Sequence, residues 1–207
     1  MLNFLNHNPN SVVSHFEKVA ETYGVSAKRW PWIYIRQGEA AAVVELLGSV
    51  QGEDVLELGC GAGFYTDLLI KLGASHVTAV DLLPEMVEQM RDKEHITGVI
   101  ADATSYQYHK SASIILSAGL IEFLSDPALF LANARRQLKE SGAMVILGPR
   151  KNLFGQIYRF YHLSHGISVR LFGHEELEEL AWDAGWRIRK SEIIPPFAQA
   201  LRMEPVT

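Results

Sequence analysis

The segment Glu57-Leu58-Gly59-Cys60-Gly61-Ala62-Gly63 constrains this chain more than any other. Three glycines at alternate positions follow a short apolar run, Val55-Leu56-Glu57-Leu58, and precede a helical pattern from Thr66 to Leu72. Glycine lets a backbone turn tightly and approach a ligand without a Cβ clash. A helix that opens behind such a turn offers unbonded N–H groups. Strand, glycine loop and helix in that order suit a nucleotide cofactor at the carboxyl end of a parallel sheet. A tight turn alone needs one glycine, not three.

The rest of the chain supports that setting. His76 to Val80 reads as a buried strand ending at Asp81, and Pro84 to Lys93 as a helix with proline in its first turn. Gly98 to Ala101 is a strand ending at Asp102, and Ile114 to Leu116 a strand followed by Ser117-Ala118-Gly119. Asp126-Pro127 opens a helix running to about Leu138, and Ala143 to Leu147 is a strand before Gly148-Pro149. His174 to Ala184 is a Glu-rich helix stopped by Gly185. Trp186 to Ile194 alternates like a half-exposed strand, Pro195-Pro196 forces a turn, and Phe197 to Met203 returns as an edge strand. This alternation predicts an α/β fold, a parallel sheet with helices on both faces. Upstream, Val12, Phe16, Val19 and Ala20 share one helical face. A second helix covers Gln37 to Leu47, with Ala41, Val44 and Leu47 on one side, Glu39 and Glu45 on the other, and Gly48 at its end. With no linker in view, residues 1–207 are expected to form a single domain. Residues 1–50 would be a helical lid, and residues 150–174 an insertion on the substrate side.

Composition narrows the function. The 207 residues are 48% apolar and 21% charged, which excludes a disordered tail protein. A net charge of −5 argues against nucleic acid, whose binding rests on phosphate neutralisation. A single cysteine, Cys60, excludes an internal disulfide and cysteine-only metal sites. No apolar run approaches the ~18 residues of a membrane span. The opening residues lack the basic and apolar regions of a secretory signal, so a cytoplasmic protein is the expectation.

Two chemistries compete for the glycine loop. A dinucleotide site expects G-x-G-x-x-G, whose helix accepts a pyrophosphate. This chain has G-x-G-x-G, with Glu57 two residues before the first glycine. A carboxylate aimed into the loop repels a pyrophosphate and attracts an ammonium, so a cofactor with a cationic amino-acid tail fits better. Asp81, 22 residues after Gly59, is placed for the ribose hydroxyls. Asp102, at the end of the third strand, is placed for an adenine amino group. Plainer readings stand beside these. Asp81 can cap the Pro84 helix, Asp102-Ala103-Thr104 can be a turn, Glu57 can be a buried structural acid bonded to backbone amides, and Cys60 a small filler.

Together these pieces resemble the class I S-adenosylmethionine-dependent methyltransferases, of the small-molecule type. The matching segments are VLELGCGAG (55–63), TAVDLLPEMV (78–87), GVIADATSY (98–106) and ILSAGLIEFLSDP (115–127), then LKESGAMVILGPR (138–150) and FGHEELEELAWDAGWRI (172–188). The resemblance implies a Rossmann-like three-layer sandwich with a mostly parallel seven-stranded sheet, an antiparallel last strand and a helical N-terminal lid. It implies S-adenosylmethionine as cofactor and S-adenosylhomocysteine as product. Glu57, Gly59, Cys60, Gly61 and Gly63 would form the loop at the methionine end. Asp81 would take the ribose, with Leu82 or Met86 near the adenine and Asp102 and Ala103 at its edge. Ser117 and Ala118 would lie under the sulfonium, and Tyr23 would close over the cofactor.

Departures from the family pattern also inform. Ser113 stands where many relatives have an acid, and Phe123 where many have a histidine. No Asn/Asp-Pro-Pro-aromatic motif for adenine amino-methylation occurs, and no Pro-Cys nucleophile for cytosine. Ser117 occupies the place of the aspartate that the metal-dependent type needs, so no metal is expected.

Acceptor chemistry has no motif. From Arg150 to His174 the basic residues Arg150, Lys151, Arg159 and Arg170 occur without an acid, among Phe154, Tyr158, Phe160, Tyr161 and Phe172. The plainer reading is a solvated face beside the acidic Glu175–Glu179 helix. The sharper one is a cap over a small anionic or aromatic acceptor, and a lipid or quinone-like one would suit the apolar-aromatic setting. An oxygen or nitrogen acceptor of high pKa needs a general base, and His162, His165 and His15 are the candidates. The Trp30-Pro31-Trp32 cluster can wall the substrate or pack beneath the lid. Rival readings are a non-catalytic cofactor-binding protein, a nucleotide-dependent oxidoreductase, and a methyltransferase acting on protein or RNA.

Overall fold

The computed structural model describes residues 32–206. Helix α1 (Trp32–Leu47) is followed by β1 (Asp54–Leu58), α2 (Phe64–Lys71), β2 (His76–Asp81), α3 (Pro84–Glu88) and β3 (Ile96–Ile100). Then come β4 (Ala112–Ala118), a 3-10 turn (Ile121–Phe123), α4 (Pro127–Arg136), β5 (Leu138–Pro149) and α5 (Leu153–Ser164). The last elements are α6 (His174–Asp183), β6 (Trp186–Ile194) and β7 (Ala198–Pro205).

The seven strands form one sheet in the order β3-β2-β1-β4-β5-β7-β6. The pairs β1–β2, β2–β3, β1–β4 and β4–β5 are parallel. β7 runs antiparallel to both β5 and β6, so β6 points the same way as the other five. The chain moves outward from β1 to β3, then returns to the other side of β1 with β4. That reversal opens a crevice between the carboxyl ends of β1 and β4, where open α/β sheets take their ligands.

Successive side chains of β1 explain the layering. Val55 enters a core with Val43, Leu46 and Leu47 of α1 and Leu69 of α2. Leu56 and Leu58 enter the opposite core, with Phe130 and Leu131 of α4, Leu177 of α6 and Trp186. Both faces are covered, so the central strands read as continuous apolar runs. Trp186 is fully buried, and its Nε1 donates to the Leu131 carbonyl at 2.9 Å.

Several boundaries differ from the sequence reading. Val43, Leu46 and Leu47 are the buried face of α1, Ala41 is exposed, and Glu39 on the expected solvent side has a side chain only 14% exposed. The helix packs across β5, β6 and β7, and Arg202 of β7 donates to the Leu46 and Leu47 carbonyls at 2.8 and 2.9 Å, which sets its rotation. The helix expected from Pro84 to Lys93 stops at Glu88 and continues as turns. Phe197–Met203, expected at an edge, instead forms part of an interior strand. Ala198, Ala200, Leu201 and Met203 of β7 are buried, whereas the charged alternation of β6 takes the edge. Residues 150–174, expected as an insertion on the substrate side, contain the helix α5.

Candidate functional site

The glycine loop stands at the crevice. Gly59, Gly61 and Gly63 adopt φ of +79°, +51° and +81°. The N–H groups of Gly59 and Cys60 both donate to the Val80 carbonyl, at 2.8 and 3.0 Å, which ties the loop to the end of β2. A Cβ on Gly59 would meet the Leu120 side chain at 3.0 Å, so this glycine permits close packing of the β1 and β4 loops. A Cβ on Gly61 would meet nothing within 4 Å. Its backbone is the open side of the loop, where a ligand has room.

Asp81 holds that open side in place. One carboxylate oxygen accepts from the Gly61 N–H at 2.8 Å and the other from the Leu83 N–H at 3.1 Å. Burial raises its pKa, and hydrogen bonds from the Leu83, Gly61 and Leu82 amides oppose the rise. Asp81 therefore couples the ends of β1 and β2, and it also caps the approach to α3. Each of its oxygens has a second lone pair for a ligand hydroxyl.

Glu57 lies on the α1/α2 side of β1, 2% exposed, and accepts from the Thr66 hydroxyl at 2.6 Å. Burial pushes its pKa up to about 8 against that hydrogen bond, and Asp81 and Asp67 push the same way. The buried-acid reading describes Glu57 in this structure, with a hydroxyl as partner in place of backbone amides.

Two acids that the sequence reading did not select complete the pocket. Glu122 sits on the 3-10 turn after β4, only 3% exposed. Its Oε2 has no hydrogen-bond partner among the described residues. Burial pushes its pKa up to about 8, and Glu39 of α1 adds to the rise. Glu39 is itself raised by burial, with Arg36 pulling down. The Glu122 carboxyl lies beside the positions where Gly119 and Gly148 lack side chains, 3.9 and 3.6 Å from a Cβ built there. Those glycines end β4 and stand near the end of β5, so Glu122 occupies the neighbouring part of the carboxyl edge. Ser117, at the end of β4, is 2% exposed, and its hydroxyl has no partner among the described residues. The signal for Glu122 was an acid inside an apolar run, Leu120-Ile121-Glu122-Phe123-Leu124. The signal for Glu39 was hidden because helical spacing alone did not fix the rotation of α1.

The other selected residues are dispersed along this edge. Leu82 is 50% exposed at the end of β2, whereas Met86 is the buried residue of α3, 2% exposed. Asp102 Oδ1 accepts from the Thr104 N–H and hydroxyl at 2.8 and 2.7 Å, the turn that the plainer reading describes, and Ala103 is buried beside it. Cys60 is buried, and burial holds its thiol far above the ordinary range, as suits a filler. The ring of His162 lies 5.9 Å from Phe123 and 4.4 Å from Tyr158, beside the turn that carries Glu122. His165 is exposed, its Nδ1 2.9 Å from the Tyr161 carbonyl at the end of its own helix. Arg170 pairs with Glu176 of α6 at 2.7 Å, as the plainer reading of the insertion has it. His15, Tyr23 and the side chains of Trp30 and Trp32 lie outside the described residues. Among the described residues no cluster of three metal-ligating side chains forms, and no helix is long and apolar enough to cross a membrane.

Glu57, Asp81 and Glu122 thus stand near the carboxyl ends of β1 and β4, and Glu39 acts electrostatically on Glu122. Such a site favours a cation and disfavours the two charges of a pyrophosphate. Residues 56–146 match the family described as a methyltransferase domain. A malonyl-[acyl-carrier protein] O-methyltransferase of Paenibacillus sp. (strain JDR-2) is 28% identical over 67% of this chain and 57% of its own length. A demethylmenaquinone methyltransferase of Tropheryma whipplei (strain Twist) is 31% identical over 58% of this chain and 52% of its own. The chain therefore spans little more than half the length of these two relatives. Magnesium protoporphyrin IX methyltransferase from Synechocystis PCC 6803, solved with bound SAH, superposes with a TM-score of 0.77 over 96% of this chain and 100% of that one, at 13% identity.

Proposed function

We propose that this chain, whose residues 56–146 match a methyltransferase domain, is a class I S-adenosylmethionine-dependent methyltransferase that transfers a methyl group to a small-molecule acceptor. The observation that carries this reading is the acid-lined crevice behind a glycine loop pinned by Asp81. S-adenosylmethionine supplies an electrophilic methyl on a sulfonium and an amino-acid tail with an ammonium. The residues present fit such a group. Gly61 leaves the loop open, Asp81 offers lone pairs to a diol, and Ser117 and Glu122 present buried polar atoms without partners among the described residues. A nicotinamide dinucleotide fits less well, since a pyrophosphate would oppose ionisation of the buried Glu57 and Glu122, whereas a cation favours it.

The chain's own contribution is alignment and proton handling. Fixed loops hold the two reactants in line, which removes much of the entropic part of the barrier. Glu122 is our choice for the group that takes the acceptor proton, with His162 beside its turn as the alternative among the histidines first considered. At neutral pH a carboxyl with a pKa of about 8 is mostly protonated. A neighbouring positive charge lowers that pKa and produces the carboxylate, the form that accepts a proton. The rings of Phe123, Tyr158 and His162 support an aromatic acceptor in preference to an anionic one, because Arg170 is already paired.

Calorimetric titration of S-adenosylhomocysteine tests the cofactor, with NADH as the control. Micromolar binding that weakens at least about tenfold in Asp81→Ala is expected, the order of one charge-assisted hydrogen bond. Binding of NADH but not of S-adenosylhomocysteine would overturn the reading.

A further inference from the structure

Helix α5 carries its apolar side outward. Leu153, Phe154, Ile157, Phe160, Tyr161 and Leu163 are between 53% and 73% exposed. At 100° per residue, all but Leu163 fall on one arc of about 120°. The opposite side holds the helix to the body. Gly155 is its one buried residue, so close to the Arg150 carbonyl that a Cβ would lie 2.0 Å from that oxygen. Tyr158 stacks on Phe197 at 5.0 Å. The helix is therefore anchored by small and aromatic contacts and displays its most apolar arc to the outside. Exposed apolar side chains are ordinary when scattered, but a contiguous set on one helix marks an interaction surface.

Charge points to the occupant. Residues 150–173 hold four of the chain's 19 basic residues and none of its 24 acidic residues. Arg150 and Lys151 precede the helix and line a shallow cleft with Phe172, Gly173, His174 and the single acid Glu192. Arg159 falls on the opposite side of the helix, beside Gly155, so Arg150 and Lys151 at its start are the basic residues next to the arc. An apolar, aromatic-rich helix face bordered by Lys and Arg is the pattern of a helix that lies in the plane of a lipid surface. A second copy of the chain is a poorer fit. A parallel two-fold pairing of this face would bring two sets of Arg150 and Lys151 together, with no acid in residues 150–173 to neutralise them.

We propose that the outer face of α5 is a docking surface for an anionic lipid bilayer. The aromatic and aliphatic arc enters the headgroup boundary while Arg150 and Lys151 meet lipid phosphates. This inference stands on the exposed face and its charge, independently of the methyl-transfer reading, and its test measures lipid binding and not turnover.

The full chain is mixed with phosphatidylcholine vesicles containing about a third phosphatidylglycerol and separated by flotation. Binding is expected, weakening as salt is added and falling strongly on pure phosphatidylcholine. The triple variant F154S/I157S/F160S should bind at least about a hundredfold more weakly, since each side chain loses its apolar transfer. All three positions are exposed, so an unchanged thermal melt verifies the fold. Failure of the wild-type chain to float overturns the proposal. Equal flotation of the triple variant also overturns it, by placing the contact elsewhere on the chain. Absence of flotation together with an oligomer that the triple variant dissolves assigns the face to a second copy, and recovery of an acidic protein in place of lipid assigns it to that partner. Both outcomes overturn the proposal.

Discussion

Replacing Glu122 by glutamine should make this protein more stable as the pH rises. Burial moves the Glu122 carboxyl from its ordinary 4.5 to about 8. Below about pH 4.5 both folded and unfolded chains hold the proton, and the group contributes nothing. Between the two values the unfolded chain has lost the proton and the folded chain keeps it. Folding then requires proton uptake, so stability falls as pH rises, by about 1.4 kcal/mol per unit. At pH 7 the gap from 4.5 amounts to about 3 kcal/mol. The fall ends near pH 8, where the folded group also ionises. A glutamine has the same shape and stays neutral, so E122Q escapes the loss. At about pH 5 the two proteins should differ by less than about 1 kcal/mol, because a neutral carboxyl and an amide leave similar groups unpartnered. At pH 7 E122Q should melt roughly 6–12 °C higher, given the 2–4 °C per kcal/mol of a domain this size. Glu57 titrates alike in both proteins and cancels from the difference. Thermal melts of the pair across pH 5 to 8 give the result. A difference that stays flat with pH would refute the reasoning, since it would mean that Glu122 is not held protonated by burial. The same substitution should abolish most turnover if Glu122 takes the acceptor proton, an opposition of stability and activity common at catalytic sites.

Binding of the sulfonium form of the cofactor should also depend on pH. S-adenosylmethionine carries a charge that S-adenosylhomocysteine lacks, and it should gain affinity relative to the product as Glu57 and Glu122 ionise. The ratio of the two dissociation constants, measured by calorimetry, should change by up to about tenfold per pH unit below 8 and level off above it; a constant ratio would remove these acids from contact with the charge. In the opposite core, Trp186→Phe should cost about 1–3 kcal/mol in urea denaturation. It removes the donor to the Leu131 carbonyl and leaves that oxygen buried without it. A loss below about half a kcal/mol would show that the indole nitrogen adds little there.

Those elements whose residues carry a local chemical signature were legible. β1, β2 and β4 are apolar runs closed by glycine or acid, and the parallel order follows from their alternation with helices. The positions of Gly59, Gly61, Gly63 and Asp81 followed from spacing alone. What sequence did not reveal depends on neighbours distant in the chain. The rotation of α1 is set by Arg202 and the β5–β7 surface, more than 100 residues away. The interior place of β7 depends on a pairing with β5 that no local pattern encodes. Glu122 looked like one acid in a turn, because its burial arises from α1, the glycine edge of β4 and β5, and the return segment whose Arg170 N–H donates to its carbonyl. The insertion concealed its helix because α5 orients its apolar side outward, the reverse of the pattern used to recognise a packed helix.

The strand order also bears on how the sheet is assembled during synthesis. β1 to β5 emerge from the ribosome in a sequence that lets each new strand join an existing neighbour or start a pair with one. β6 emerges next with no neighbour, because among the described residues it pairs only with β7, and the slot beside β5 is also kept for β7. Until β7 is made, the nascent chain carries two open hydrogen-bonding edges of the same polarity, β5 and β6, which invite a wrong parallel pairing between them. The charged alternation Arg187, Arg189, Lys190 and Glu192 along β6 then acts as a guard, keeping that strand in water until the correct antiparallel partner arrives.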